Sequence, residues 1–132
     1  MARALSLDTT FLIDLERERR VGPGAAHRFL LADPEAELSL SAVALGEFAE
    51  GFGDVEHPVL VAIRRSHRIL DVDEEVGLAY GKITRALRAQ GTLLGSNDLW
   101  IAATSVRHGI PLVTADVEHF RRVDGLEVVS YR

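Results

Sequence analysis

The sequence predicts an α/β fold: an open three-layer α/β/α sandwich on a short, mostly parallel central sheet. Three observations predict it. Short apolar runs of strand length alternate with amphipathic stretches of helix length along the chain, the pattern of a parallel sheet covered on both faces. The 132 residues, 47% hydrophobic and 27% charged, suit a globular domain with a single core. No internal repeat, low-complexity tract or linker breaks the alternation, so residues 1–132 are expected to form one domain.

Arg3 to Leu7 reads as a first strand, and Asp8-Thr9-Thr10 are capping residues that start a helix. Phe11, Leu12 and Leu15 form its apolar face, with Glu16 to Arg20 as its solvated end. Gly22-Pro23-Gly24 breaks the chain. A second helix, Ala25 to Leu31, stops before Asp33-Pro34, because a residue preceding proline avoids the helical region. Glu37 to Leu40 alternates as a second strand, and Ser41 caps a helix over Ala42 to Gly51. His57-Pro58 opens a helix reaching about His67, and Ile69 to Val72 is a third strand. The longest periodic stretch is Glu74 to Gln90, with Val76, Leu78, Tyr80, Ile83 and Leu87 expected inside and Gly91 as its stop. Ser96-Asn97-Asp98 caps Leu99 to His108, ended by Gly109. Ile110 to Val113 is a strand, followed by Thr114-Ala115-Asp116, a helical turn at Glu118 to Phe120 and a last strand, Leu126 to Val129.

The absence of cysteine excludes a disulfide scaffold, a thiolate metal site and a cysteine nucleophile. No apolar run reaches the roughly 18 residues of a membrane span, and the N-terminal segment lacks the continuous apolar region of a signal peptide. The expected location is cytoplasmic, with no membrane partner. A net charge of −5 gives no strongly basic nucleic-acid-binding surface in bulk. Lys82 is the only lysine; the other fourteen basic side chains are arginines. Arginine suits bidentate phosphate contacts, and biased genome composition explains the count equally well.

In open parallel sheets ligands bind beyond the carboxyl ends of the strands. Asp8 directly follows the first strand, and Asp116 follows the strand ending at Val113. Glu47 lies about two turns into the helix after the second strand, and Asp98 lies in the first turn of its helix. They stand 39, 51 and 18 residues apart, so only the fold could gather them. Four carboxylates at one sheet edge are costly: at about 4 Å and a dielectric near 20, each like-charge pair costs about 4 kcal/mol. Such a cluster needs a cation or raised pKa values. Oxygen ligands without thiolate select Mg²⁺ or Mn²⁺ over Zn²⁺, and such a metal can activate water for attack at phosphorus.

Each acid also has a plain structural reading. Asp8 can be a helix cap, and Glu47 and Glu50, three apart on one helix, can be solvated. Asp98 is favoured by the helix dipole whatever its function, and Asp116 can be a turn aspartate. Other chemistries are not supported. Thr10 stands where a phosphoaspartyl phosphatase needs a second acid, no P-loop or dinucleotide fingerprint is present, and the five histidines show no HExxH pairing. His119 and Phe120 read as a packing turn, and Tyr80 and Trp100 as core packing rather than base stacking.

The segments SLDTTFLIDL, SAVALGEFAEG and GSNDLWIAATSVRHGIPLVTADVEHFRRVDGLEVV together resemble PIN-domain ribonucleases, most closely the VapC-type toxins of bacterial toxin–antitoxin pairs. The resemblance covers essentially the whole chain. It implies a compact α/β/α sandwich with an acidic metal site, and carries the four acids onto Asp8, Glu47, Asp98 and Asp116. Glu47 rather than Glu50 fits the pattern, six residues after Ser41 and four before Gly51. In the family the Asp116 position is often asparagine, which suits a contact to the metal through water as well as a direct one. Thr9 and Thr114 match the family's small hydroxyl residues, expected to orient carboxylates or water, and Asn97 is a further candidate.

The implied activity is a Mg²⁺- or Mn²⁺-dependent endoribonuclease that cuts RNA with water as nucleophile. Arg17, Arg19, Arg20, Arg85, Arg88 and Arg121 are candidates for holding phosphates. The competing expectation is a regulatory module held inhibited by a cognate antitoxin, meeting promoter DNA only through that partner. The resemblance also implies a homodimer.

Overall fold

The computed structural model describes residues 2–132. β1 is Ala4–Leu7, followed by α1 Thr9–Val21, α2 Ala25–Ala32, β2 Glu37–Ser41, α3 Ala42–Ala49 and α4 Pro58–Ser66. Then come β3 Arg68–Leu70, α5 Glu74–Ala89, α6 Ser96–His108, β4 Leu112–Thr114, α7 Val117–Phe120 and β5 Val128–Ser130. The sheet order is β3-β2-β1-β4-β5, and every neighbouring pair is parallel. The expected α/β fold is therefore observed.

The chain adds β2 and β3 on one side of β1, then crosses through α5 and α6 to place β4 on the other side. The strand order thus reverses between β1 and β4, which opens a crevice at their carboxyl ends. Register pins the crevice: Leu7 pairs with Val113, and the Asp8 N–H donates to the Val113 carbonyl at 2.9 Å. Leu5, Leu7, Leu40, Leu112 and Val113 have no exposed surface, as expected of strands covered on both faces. β4 begins at Leu112, two residues later than the sequence suggested. Pro111 has no N–H for the ladder, although its carbonyl accepts from Ser6 at 2.9 Å.

Several local expectations hold. Ser41 caps α3 through a hydrogen bond from the Ala44 N–H, and Gly109 ends α6 in the left-handed region at φ 63°. Gly91, at φ 70°, follows α5. Others do not. Leu78 was expected inside but is 71% exposed; Val76, Ile83, Thr84 and Leu87 form the buried seam of α5, and two residues past Val76 is roughly 200° around the helix. Tyr80 is only half-buried and stacks on Trp100 at 3.8 Å between ring centroids, joining α5 to α6. Gly95 rather than Ser96, Asn97 or Asp98 occupies the N-cap position of α6, with no side-chain cap.

The end of α1 is not simply solvated. Glu18 is buried, and its carboxylate accepts the N–H groups of Gly24 (2.7 Å), Ala26 (3.0 Å) and His27 (2.9 Å). It therefore satisfies the otherwise orphaned donors at the start of α2. A Cβ on Gly24 would fall 2.9 Å from Glu18 Cδ, so a larger residue there would have to displace the carboxylate. Asp14 is also buried and accepts from the Tyr131 hydroxyl at 2.6 Å and from Arg17 and Arg132, pinning the chain end against α1.

Candidate active site

Asp8 occupies the N-cap position of α1 but makes no side-chain cap. Its carboxylate, 3% exposed with its residue, turns across the crevice instead. Oδ2 accepts from Thr114 Oγ1 at 2.7 Å and from Thr10 Oγ1 at 3.1 Å. Burial pushes the Asp8 carboxyl above its ordinary value; the hydroxyl of Thr114 opposes that shift, and the charge of Asp98 adds to it. Asp8 and Asp98 are therefore electrostatic neighbours despite their separation in sequence.

Glu47 on α3 reaches the same crevice. Its Oε1 accepts from Thr9 at 2.7 Å and its Oε2 from the Asn97 amide at 3.2 Å. Thr9 adjoins Asp8 in sequence and Asn97 adjoins Asp98, so these two contacts tie α3 to both acids. Glu50 is exposed and forms no ion pair among the described residues. Asp116 sits at the N-cap position of α7 with its carboxylate exposed. Its N–H donates to Thr114 Oγ1 at 3.0 Å, on the hydroxyl that holds Asp8. Thr114 thus joins the Asp8 carboxylate to the Asp116 backbone, and Thr9 and Asn97 join Glu47 to the sequence neighbours of Asp8 and Asp98.

One polar partner escaped the sequence reading. His119, expected only to pack, places Nε2 2.7 Å from Asp98 Oδ2. Its spacing from Asp98 carries no motif, and the pairing needs the α6–β4–α7 connection to exist. Among the described residues no three His, Asp or Glu side chains are gathered closely enough to hold a metal ion by themselves. The donor set nonetheless suits a hard divalent cation. It is all oxygen, Asp8 is buried, and among the described residues no arginine or lysine forms an ion pair with any of the four acids.

The candidate arginines divide by their partners. Arg17, Arg19 and Arg121 are committed to Asp14, Glu16 and Glu118, each on the preceding turn. Arg85 and Arg88 border a groove along α5 with Tyr80. Arg20 lines a cleft of about 450 Å³ together with Glu47, Phe52 and His57.

The family model of the PIN domain matches residues 5–126. The chain belongs to the PIN-domain family. Among curated relatives of this PIN domain, Ribonuclease VapC4 of Mycobacterium tuberculosis is 34% identical, over 97% of this chain and 96% of the relative. Ribonuclease VapC1 of Methanocaldococcus jannaschii is 30% identical over 89% of this chain and 79% of its own. VapBC-1 from nontypeable Haemophilus influenzae superposes with a TM-score of 0.76 at 29% identity, covering 97% of this PIN domain and 98% of that chain. VapBC2 from Rickettsia felis, solved bound to a DNA fragment from its promoter, superposes at 0.84 with 21% identity and 98% and 99% coverage. Among the described residues no helix is long and apolar enough to cross a membrane.

Proposed function

We propose that this PIN domain is a metal-dependent endoribonuclease that hydrolyses RNA phosphodiester bonds, the toxin component of a toxin–antitoxin pair. The observation that carries the reading is the crevice itself. Asp8 and Asp116 follow the two strands between which the order reverses, and Glu47 is hydrogen-bonded to Thr9 and Asn97, the sequence neighbours of Asp8 and Asp98, in a chain similar along its length to ribonucleases. Asp8, Glu47 and Asp98 would hold Mg²⁺ or Mn²⁺, with Asp116 directly or through water. When bound, the metal supplies charge neutralisation for the phosphate and activation of water.

The chain's own residues prepare the site. Thr114 and Thr10 fix the face that Asp8 presents, and Thr9 and Asn97 together fix Glu47. Preset carboxylates need not reorganise when substrate arrives, which is where preorganised sites gain rate. Arg20, with no ion-pair partner among the described residues, shares the cleft with Glu47 and would hold a phosphate of the strand.

The test is brief expression followed by sequencing of RNA ends, with Asp98→Asn as control. Cleavage products confined to the unmutated protein support the reading; identical products from both would overturn it. Singly, Asp8→Asn, Glu47→Gln and Asp98→Asn should each lower cleavage at least tenfold, while Glu50→Gln leaves it intact.

A second, compatible reading is regulatory: a partner chain covers the site, and DNA is met only through that partner. A cleft of about 860 Å³ between α1, α2 and α4, lined by Leu12, Leu15, Leu30, Val59 and Ile63, favours it. Glu16, Arg19, Phe48 and His57 border both this cleft and the one containing Glu47, so a chain seated in the first would reach the second. Co-purification with a small protein encoded beside this chain, retained in Asp98→Asn, separates binding from catalysis.

A further inference from the structure

His119 lies on α7, the four-residue helix between β4 and β5. Its ring packs edge-on against the buried Phe120 at 5.3 Å between centroids and 86° between planes, which limits where it can point. Nε2 meets Asp98 Oδ2 at 2.7 Å, and against a carboxylate oxygen the ring nitrogen must donate. That contact is the only side-chain hydrogen bond to Asp98 among the described residues. Asp8 and Glu47, by contrast, are each held by two side chains. Asp98 sits in the first turn of α6, is partly exposed, and faces the like charge of Asp8. Without a tether, that repulsion and solvent would both draw its carboxylate out of the crevice.

We propose that His119 is a positioning residue for Asp98. It takes up Oδ2, leaves Oδ1 for the cation, and holds the carboxylate in the crevice against the repulsion of Asp8. Hydrogen bonding to a ligating carboxylate fixes its orientation, and losing such a partner typically costs 10- to 100-fold in metal affinity. The role needs a donor at the place of Nε2, not a positive charge. A glutamine amide can supply one; phenylalanine keeps the ring against Phe120 and supplies none. The inference rests on the proposed metal site and deepens it.

The experiment measures Mn²⁺ binding by titration calorimetry for the unmutated protein, His119→Phe, His119→Gln and Asp98→Asn, with melting temperatures in chelator for each. The expected result is at least tenfold weaker Mn²⁺ binding by His119→Phe, recovery to within about threefold by His119→Gln, and folded variants throughout. In cleavage assays at saturating RNA, His119→Phe should need more Mn²⁺ for half-maximal rate while approaching the unmutated maximum. Equal affinity for His119→Phe and the unmutated protein overturns the proposal. So does tighter binding, which would make the contact a competitor of the cation, or a His119→Gln variant no better than His119→Phe. Equal Mn²⁺ binding by Asp98→Asn and the unmutated protein would instead sink the metal site, and this inference with it.

Discussion

Thr114 Oγ1 donates to Asp8 Oδ2 at 2.7 Å, joining residues 106 apart across the boundary of β1 and β4. The Thr114 hydroxyl also accepts the Asp116 N–H, so one side chain links two of the four acids. It is fully buried. Thr114→Val keeps the branched shape and removes the hydroxyl. A hydrogen bond to a charged group contributes about 1.5–3 kcal/mol. The variant should fold, bind Mn²⁺ at least about tenfold more weakly and cut RNA correspondingly more slowly at limiting metal. Calorimetry on the two proteins decides it; unchanged affinity would mean that Thr114 only closes the turn after β4.

Asp8 carries a stability cost in the metal-free protein. Burial raises its folded pKa above the unfolded value, near 4. The folded state then holds the extra proton, so its advantage is present below the unfolded pKa and is lost as pH rises through the folded value. The cost grows as pH rises from about 4 towards neutrality. Asp8→Asn should therefore melt higher than the unmutated protein in chelator at pH 7.5, with the gap closing towards pH 4. At this size each kcal/mol moves the melting temperature by about 3–6 °C. A lower melting temperature for Asp8→Asn at pH 7.5 would show that the ionised carboxylate is structurally needed there.

The order of elements was legible in the sequence because strand-length apolar runs and helical stretches alternate, and punctuation such as Ser41, Gly91 and Gly109 acts within a few residues. Asp8 and Asp116 stood out because a parallel sheet presents what directly follows its strands at one edge; Glu47 and Asp98, which follow no strand directly, joined them through the resemblance to PIN-domain ribonucleases. Links that depend on the fold were not. Glu18 looked solvated because its three donors lie six to nine residues on, beyond a glycine–proline break. The contact of Asp14 with Tyr131 carries no local sequence signal, because the two residues are 117 apart. Asp98 and His119 meet only because α7 returns from β4.

Asp14 makes the chain end part of the structure. Burial alone would raise its carboxyl, but the Tyr131 hydroxyl and the Arg132 guanidinium outweigh that and hold it below the ordinary value. Burial and the neighbouring carboxylate push the Tyr131 phenol up to about 12, so it stays protonated and donating through neutral pH. Tyr131→Phe leaves Asp14 short of one donor and should cost about 1–3 kcal/mol. Asp14→Asn should lose a similar amount, and the double variant less than the sum, because the two changes remove one interaction. Urea titrations of the four proteins measure the coupling. Strict additivity would show that the contact contributes nothing to stability.

Glu18 should govern the acid limb of stability. Its burial favours the neutral form, yet the N–H groups of His27, Ala26 and Gly24 outweigh burial and lower its folded pKa. The unfolded state then binds the proton more readily. The contribution is present above the unfolded value, near 4.3, and is lost as pH falls through the lowered folded value. Glu18→Gln keeps size and one acceptor oxygen but presents an NH₂ group to donors that need an acceptor. The variant should be destabilised by about 2–3 kcal/mol at pH 7, and its deficit should shrink as pH drops below 4. Gly24→Ala should act on the same cap from the other side, since its Cβ would meet Glu18 Cδ at 2.9 Å and push the carboxylate off its donors. Hydrogen exchange at Ala26 and His27 reports the result locally. Both variants should speed exchange at these amides at pH 7, whereas unchanged protection would place the start of α2 under the control of packing rather than of Glu18.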